Sequence, residues 1–235
     1  MKVRVLSDLH LEFSKEYMEI PEGDVLVLAG DICIGSEVEK YHDFFSQCVD
    51  KYNKVFYVLG NHEHYAGTWE ETFWTIQQNI PHQISILNNR SECYDGVHFI
   101  GGTLWTNYDN LNLNTMKQAQ DCMTDYYSVR KKDGRNITPV DVLDEHMFTR
   151  NWFEQAIPTL RGDVFVVTHH APSQQSVRGR YKALQGAYAN NMESYGHVHK
   201  TNDYDIGECR VISNPRGYFG MEMNPDFSLD KEYEV

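Results

Sequence analysis

The sequence predicts an α/β fold, on three observations. Short aliphatic runs recur along the chain, segments with helical periodicity lie between them, and most of the runs stop at a polar cluster. The runs are KVRVL (2–6), DVLVLA (24–29), KVFYVL (54–59), VHFIGG (97–102) and DVFVVT (163–168). They read as buried strands, because both faces of such a strand are covered and the apolar pattern is nearly continuous.

The first run begins at Lys2, which leaves no room for the apolar core of a signal peptide. After the second run, Ser36 with Glu39 fits the S/T-x-x-E capping box ahead of an amphipathic segment, and after the third, Thr68 with Glu71 fits it again. The aromatic-rich segment 69–78 that follows reads as core. The polar stretch 106–136 is the least regular and predicts an excursion over one face. Thr138-Pro139 opens a third helix, to about Ile157, with proline in the first turn. Residues 220–235 lack periodicity and read as a tail. Without a repeat or linker to divide it, the whole of 1–235 is expected to be one domain.

Composition narrows the function. With 41% hydrophobic and 23% charged residues the chain is an ordinary globular protein. A net charge of −13 and no basic stripe argue against duplex nucleic acid and anionic membranes as partners. No apolar run reaches the length of a membrane span. Cys33, Cys48, Cys93, Cys122 and Cys209 are scattered singly and odd in number, which predicts a reducing, cytoplasmic setting.

The polar clusters carry the chemistry. The first run leads into Asp8-Leu9-His10, the second into Gly30-Asp31, the third into Gly60-Asn61-His62, and the last into His169-His170; GHVH adds His197 and His199. Each alone reads as a turn. Together they fall where open α/β sheets bind ligands, beyond the carboxyl ends of the strands. Imidazoles, carboxylates and an amide oxygen are donors for Mn, Fe, Co, Ni or Zn, whereas Mg and Ca prefer more oxygen. Seven candidate ligands exceed the needs of one ion and suit two that share a carboxylate. His42, His82, His98 and His146 read as solvated or hydrogen-bonded.

The order DxH, GD, GNH, H, GHxH resembles the calcineurin-like metallophosphoesterase superfamily, from residue 5 to about 218. Within it, VVTHHAPS (166–173), TLW (103–105) and NPRGY (214–218) resemble small predicted phosphohydrolases of bacterial and phage type. The resemblance implies a four-layer α/β/β/α sandwich of two mixed sheets. It implies that Asp8, His10 and His199 hold one metal, that Asn61, His169 and His197 hold a second, and that Asp31 bridges them. Both ions would be divalent transition metals, manganese first. A metal-bridging hydroxide would attack phosphorus, and His62, unligated, would be the general acid. Cys33 departs from the family, where many relatives carry His after GDI, and alters the substrate side only.

The expected substrate is a small phosphorylated molecule, with phosphodiesters of nucleotide type favoured. The alternatives are a phosphomonoesterase, protein phosphatases included, a nuclease, and a non-catalytic scaffold. Further phosphate contacts are sought in His170, Arg178, Arg180, Lys182 and Arg216. Gly60 is expected to let the chain turn tightly, and Glu63 and His64 to serve as a cap or as hydrogen-bond partners of the ligands.

Overall fold

The five aliphatic runs are five strands, joined by others too short or too polar to stand out. In chain order these are β1 (Lys2–Leu6), β2 (Gly23–Ala29), β3 (Tyr52–Val58), β4 (Ile84–Ile86), β5 (Arg90–Tyr94), β6 (Val97–Gly102), β7 (Val164–Thr168), β8 (Asn202–Ile206), β9 (Cys209–Ser213), β10 (Gly217–Tyr218), β11 (Glu222–Met223) and β12 (Glu232–Glu234). The structure, a computed structural model, describes residues 1–14, 18–177, 185–190, 201–207 and 209–235. The expectations for Arg178, Arg180, Lys182, His197 and His199 lie outside the described residues.

One sheet runs β12-β1-β2-β3-β4, with β1 to β4 parallel and β12 antiparallel to β1. A second runs β5-β6-β7, with β5 antiparallel and β7 parallel to β6. Both are mixed, as expected. β8 and β9 form a two-stranded ribbon, as do β10 and β11.

Alternation along the strands sorts the core into layers. Val3, Val5, Val25, Val27, Phe56 and Val58 point at the second sheet, where they meet Val97, Phe99 and Val167. The rings of Phe56 and Phe99 stack there, 4.2 Å apart. Leu6, Leu26, Leu28, Val55 and Tyr57 point the other way, against Phe44, Phe45 and Cys48 of α1 (His42–Lys51) and Ile76 of α2 (Trp69–Asn79). The outer face of the second sheet, with Ile100, Val164 and Val166, takes Phe153 from the helix over Pro139–Ala156. The order is therefore helices, sheet, sheet, helix.

That last helix has the expected start: Thr138 Oγ accepts from Asp141 N at 3.4 Å, and Asp141 Oδ2 accepts from Thr138 N at 2.8 Å. The other two capping boxes do not form. Residues Gly35–Tyr41 make a 3₁₀ turn before α1, and the Ser36 side chain caps nothing in it. Thr68 is held extended by a bridge to Arg130, and Glu71 pairs with Lys132 at 3.8 Å instead. Nor is all of α2 core, since Trp74 is 59% exposed.

The stretch 106–136 carries α3 (Tyr108–Leu111), α4 (Leu113–Cys122) and α5 (Asp125–Ser128); the Pro139–Ala156 helix is then α6. α3 is a left-handed turn, with φ between 52° and 68° at Tyr108, Asp109, Asn110 and Leu111. Residues 220–235 include β11 and β12, and Tyr233 of β12 is buried between the sheets.

Candidate functional site

The carboxyl ends of β1, β2, β3 and β7 converge, and the backbone after each strand is bent sharply to present its side chains. Asp8, His10 and Asp31 all adopt left-handed φ, at 51°, 45° and 53°. This conformation is costly for residues with a Cβ and clusters where function demands it. The β1 loop is tied to the β2 loop as it bends: Asp8 N donates to Gly30 O at 3.0 Å and His10 N to Asp31 O at 3.0 Å.

Donor atoms of Asp8, His10 and Asp31 lie within 4.8 Å of one another, all buried. Asp31 faces two imidazoles with different oxygens. Its Oδ2 is 3.9 Å from His10 Nε2, and its Oδ1 is 3.4 Å from His169 Nε2. Asn61 Oδ1 is 3.1 Å from the same His169 Nε2. His169 Nδ1 donates to Ala29 O at 3.0 Å, so Nε2 is the nitrogen that faces Asp31 and Asn61. His10 Nδ1 lies 3.3 Å from Glu12 Oε1, which turns its Nε2 lone pair inward likewise.

Two glycines give this packing its room. Gly30 has φ 87°, and a Cβ on it would enter the His169 ring. A Cβ on Gly60 would overlap Asp31 Oδ1, and its φ is not left-handed. Space for the carboxylate, rather than the tight turn expected from the sequence, requires glycine at 60.

Charge in this cluster is unbalanced. Burial would raise the Asp31 pKa, but charge on His169 and His62 holds it well below the carboxylate range. Burial disfavours charge on His169, yet the Asp31 carboxylate outweighs it and lifts the pKa to about 10. Buried carboxylates that draw protons onto their neighbours form a place for cations. The donors present, two carboxylates, two imidazoles and an amide oxygen, fit borderline divalent metals.

His62 sits beside this group with both nitrogens directed elsewhere. Its Nδ1 is 3.0 Å from Glu12 Oε1, its Nε2 is 3.2 Å from Tyr218 Oη, and its ring stacks on Tyr65 at 4.2 Å. Burial opposes a charge on His62, but Asp31 and the Glu12 hydrogen bond raise its pKa to about 9. His10, Glu12 and His62 also lie close enough to share an ion. Glu12 Oε1 is within hydrogen-bonding distance of both Nδ1 atoms, which pairs it with the two rings, while its Oε2 is buried without a hydrogen-bond partner among the described residues.

Glu63 proves to be a clasp. Its Oε2 accepts from Asp31 N at 3.0 Å and Gly60 N at 2.7 Å, and its Oε1 from Ile32 N and Tyr57 Oη at 2.7 Å each. One carboxylate thus joins the β2 and β3 loops. Burial and the nearby Asp31 charge push its pKa up to about 7, against the pull of these donors. Glu63→Gln turns an NH₂ toward donors that need an acceptor, at about 1–3 kcal/mol for each one stranded. Urea unfolding of the metal-free protein should shift to a lower midpoint, and an unchanged midpoint would contradict the clasp.

His64 and His170 end an aromatic column. His64 stacks on Trp69 at 5.1 Å, Trp69 on Trp105 at 4.7 Å, and Trp105 meets His170 at 5.0 Å. Burial lowers the pKa of both histidines, His64 to about 4. Arg216 is buried, 4.9 Å from the Phe219 ring, with Nη1 donating to Leu9 O at 3.4 Å. Cys33 is fully buried in the core under α1 and α2, so it does not line the substrate side. Glu12, Tyr65 and Asp125 touch the site although nothing singled them out in the sequence. Glu12, two residues beyond His10, carried the only signal that could have found one.

Among the described residues no helix is long and apolar enough to cross a membrane. Known proteins are similar to this chain in sequence and in fold. An uncharacterised protein of Acanthamoeba polyphaga mimivirus is 26% identical, over 92% of this chain and 91% of its own. The phosphopantetheinyl hydrolase of Mycobacterium tuberculosis superposes with a TM-score of 0.70 at 17% identity, over 92% of this chain and 89% of its own, a likeness of fold. The calcineurin-like phosphoesterase family model matches residues 1–201, and with the strand-end donors in that order the chain belongs to this family.

Proposed function

We propose that the protein hydrolyses small phosphate esters with two divalent transition-metal ions, manganese foremost, and favours phosphodiesters of nucleotide type. The observation that carries this reading is Asp31, whose two oxygens face His10 and His169 separately. In the proposal Asp8 and His10 hold one ion with His199, Asn61 and His169 hold the other with His197, and Asp31 joins the two. When bound, such ions supply Lewis acidity and a nucleophile at neutral pH.

The chain's own residues do the rest. Two divalent cations outweigh the charges of Asp8 and Asp31, and with Glu12, Asp125 and a charged His62 beside them a small positive excess remains to attract an anion within a chain of net charge −13. Glu12 holds the Nδ1 hydrogen of His62, leaving Nε2 to pass a proton to the leaving oxygen. Tyr65 keeps the ring in plane by stacking, and the Tyr218 hydroxyl marks the side from which the leaving group is reached.

Diesters are favoured because an alkoxide is harder to expel from a diester without that proton, and because their single negative charge matches a pocket whose positive excess is small. The check is kcat/KM for bis-p-nitrophenyl phosphate against p-nitrophenyl phosphate, then for a cyclic nucleotide against its monophosphate. Diesters should be cleaved at least as well; a monoester preference above about tenfold in both pairs makes the protein a phosphatase. A phosphopantetheinyl ester belongs in the panel, since a protein of this fold is named for hydrolysing that group.

A further inference from the structure

Asp125 opens α5, inside the polar stretch 106–136 and 64 residues beyond Asn61, yet it is buried against the site. Its Oδ1 accepts from Asn61 Nδ2 at 2.7 Å and from Tyr65 Oη at 3.1 Å. Asn61 Nδ2 also donates to Tyr65 Oη, at 3.2 Å. The three side chains form a closed triangle, and two of them lead to the site: Asn61 Oδ1 to His169 Nε2, and the Tyr65 ring to His62.

A side-chain amide has an accepting end and a donating end, exchanged by a half-turn of the last torsion. A carboxylate can only accept. Asp125 therefore selects the Asn61 rotamer that turns NH₂ away from the cluster and the oxygen into it. The opposite rotamer would aim two N–H donors at a place built for a cation.

We infer that Asp125 is a positioning residue, which fixes the Asn61 amide as an oxygen donor to the second ion and braces the stack behind His62. The inference rests on the dinuclear reading above. It makes the 106–136 excursion part of the metal site, because α5 supplies what Asn61 cannot supply for itself. Partners of metal ligands typically contribute 10–100-fold to metal affinity.

The test is calorimetric titration of the metal-free protein with Mn²⁺ alone. Wild type should take up two ions. Asp125→Ala leaves the Asn61 amide with no acceptor to set its rotamer; it should weaken the second ion roughly 10–100-fold and leave the first within about twofold. The double variant Asn61→Asp with Asp125→Asn exchanges the two groups, so that residue 125 donates to an acid with no wrong end; it should restore the second ion to within about tenfold of wild type. Two ions bound by Asp125→Ala as tightly as by wild type would overturn the inference. If that single variant does not fold, a double variant that folds but lacks the second ion would overturn it instead. A wild type that takes up only one ion fails the dinuclear reading itself, a result distinct from either.

Discussion

Replacing His62 by alanine is expected to leave both ions in place and to cut the rate roughly 10²–10⁴-fold on esters with poor leaving groups. Neither ring nitrogen points at the Asp31 cluster, since Nδ1 is turned to Glu12 and Nε2 to Tyr218. Losing the ring therefore removes a proton donor and no ligand. The size of the loss should follow the leaving group. An alkoxide must be protonated as it departs, whereas nitrophenolate departs almost unaided, so the nitrophenyl ester should lose far less. Equal losses on both kinds of ester, or one ion missing from elemental analysis, would make His62 a ligand of the His10, Glu12 and His62 trio instead.

Asp31→Asn is expected to remove at least one ion and most of the activity. The carboxylate presents one oxygen to each imidazole, and an amide can present an oxygen to only one while its NH₂ faces the other. The loss of affinity should be at least the roughly 10–100-fold that follows from losing a mere partner of a ligand. Anomalous scattering from the wild type should show two peaks about 3.5–4 Å apart. A variant that keeps two ions and full activity would end the bridging role.

What the sequence made legible, and what it hid, follows from how far each interaction reaches. β1, β2, β3, β6 and β7 announce themselves because strands covered on both faces must be apolar almost throughout. β8 to β12 do not, since they are only two to five residues long, and β12 is defined by the distant pairing of Lys2 with Glu234. Asp8, His10, Asp31, Asn61 and His169 were visible because each follows its strand directly. Glu12 and Asp125 act on His62 and Asn61 from 50 and 64 residues away; Glu12 had its place beside His10 to mark it, but Asp125, an acid in a polar stretch, gives no sign of its role. Ser36 shows the converse failure. It satisfies a capping pattern, but the 3₁₀ turn over Gly35–Tyr41 puts the start of α1 six residues later.

The Glu63 carboxylate binds the Asp31 and Gly60 loops through backbone N–H groups, with no ion taking part. Walls held in this way keep their shape when a metal leaves. Exchange of one metal for another then requires no rearrangement of the chain, and a rigid pocket of imidazole, carboxylate and amide donors has little means of rejecting a rival of similar size. The ions carried by the protein as isolated will follow supply and the general affinity order of divalent metals, so growth medium and purification history belong beside any activity measured on it.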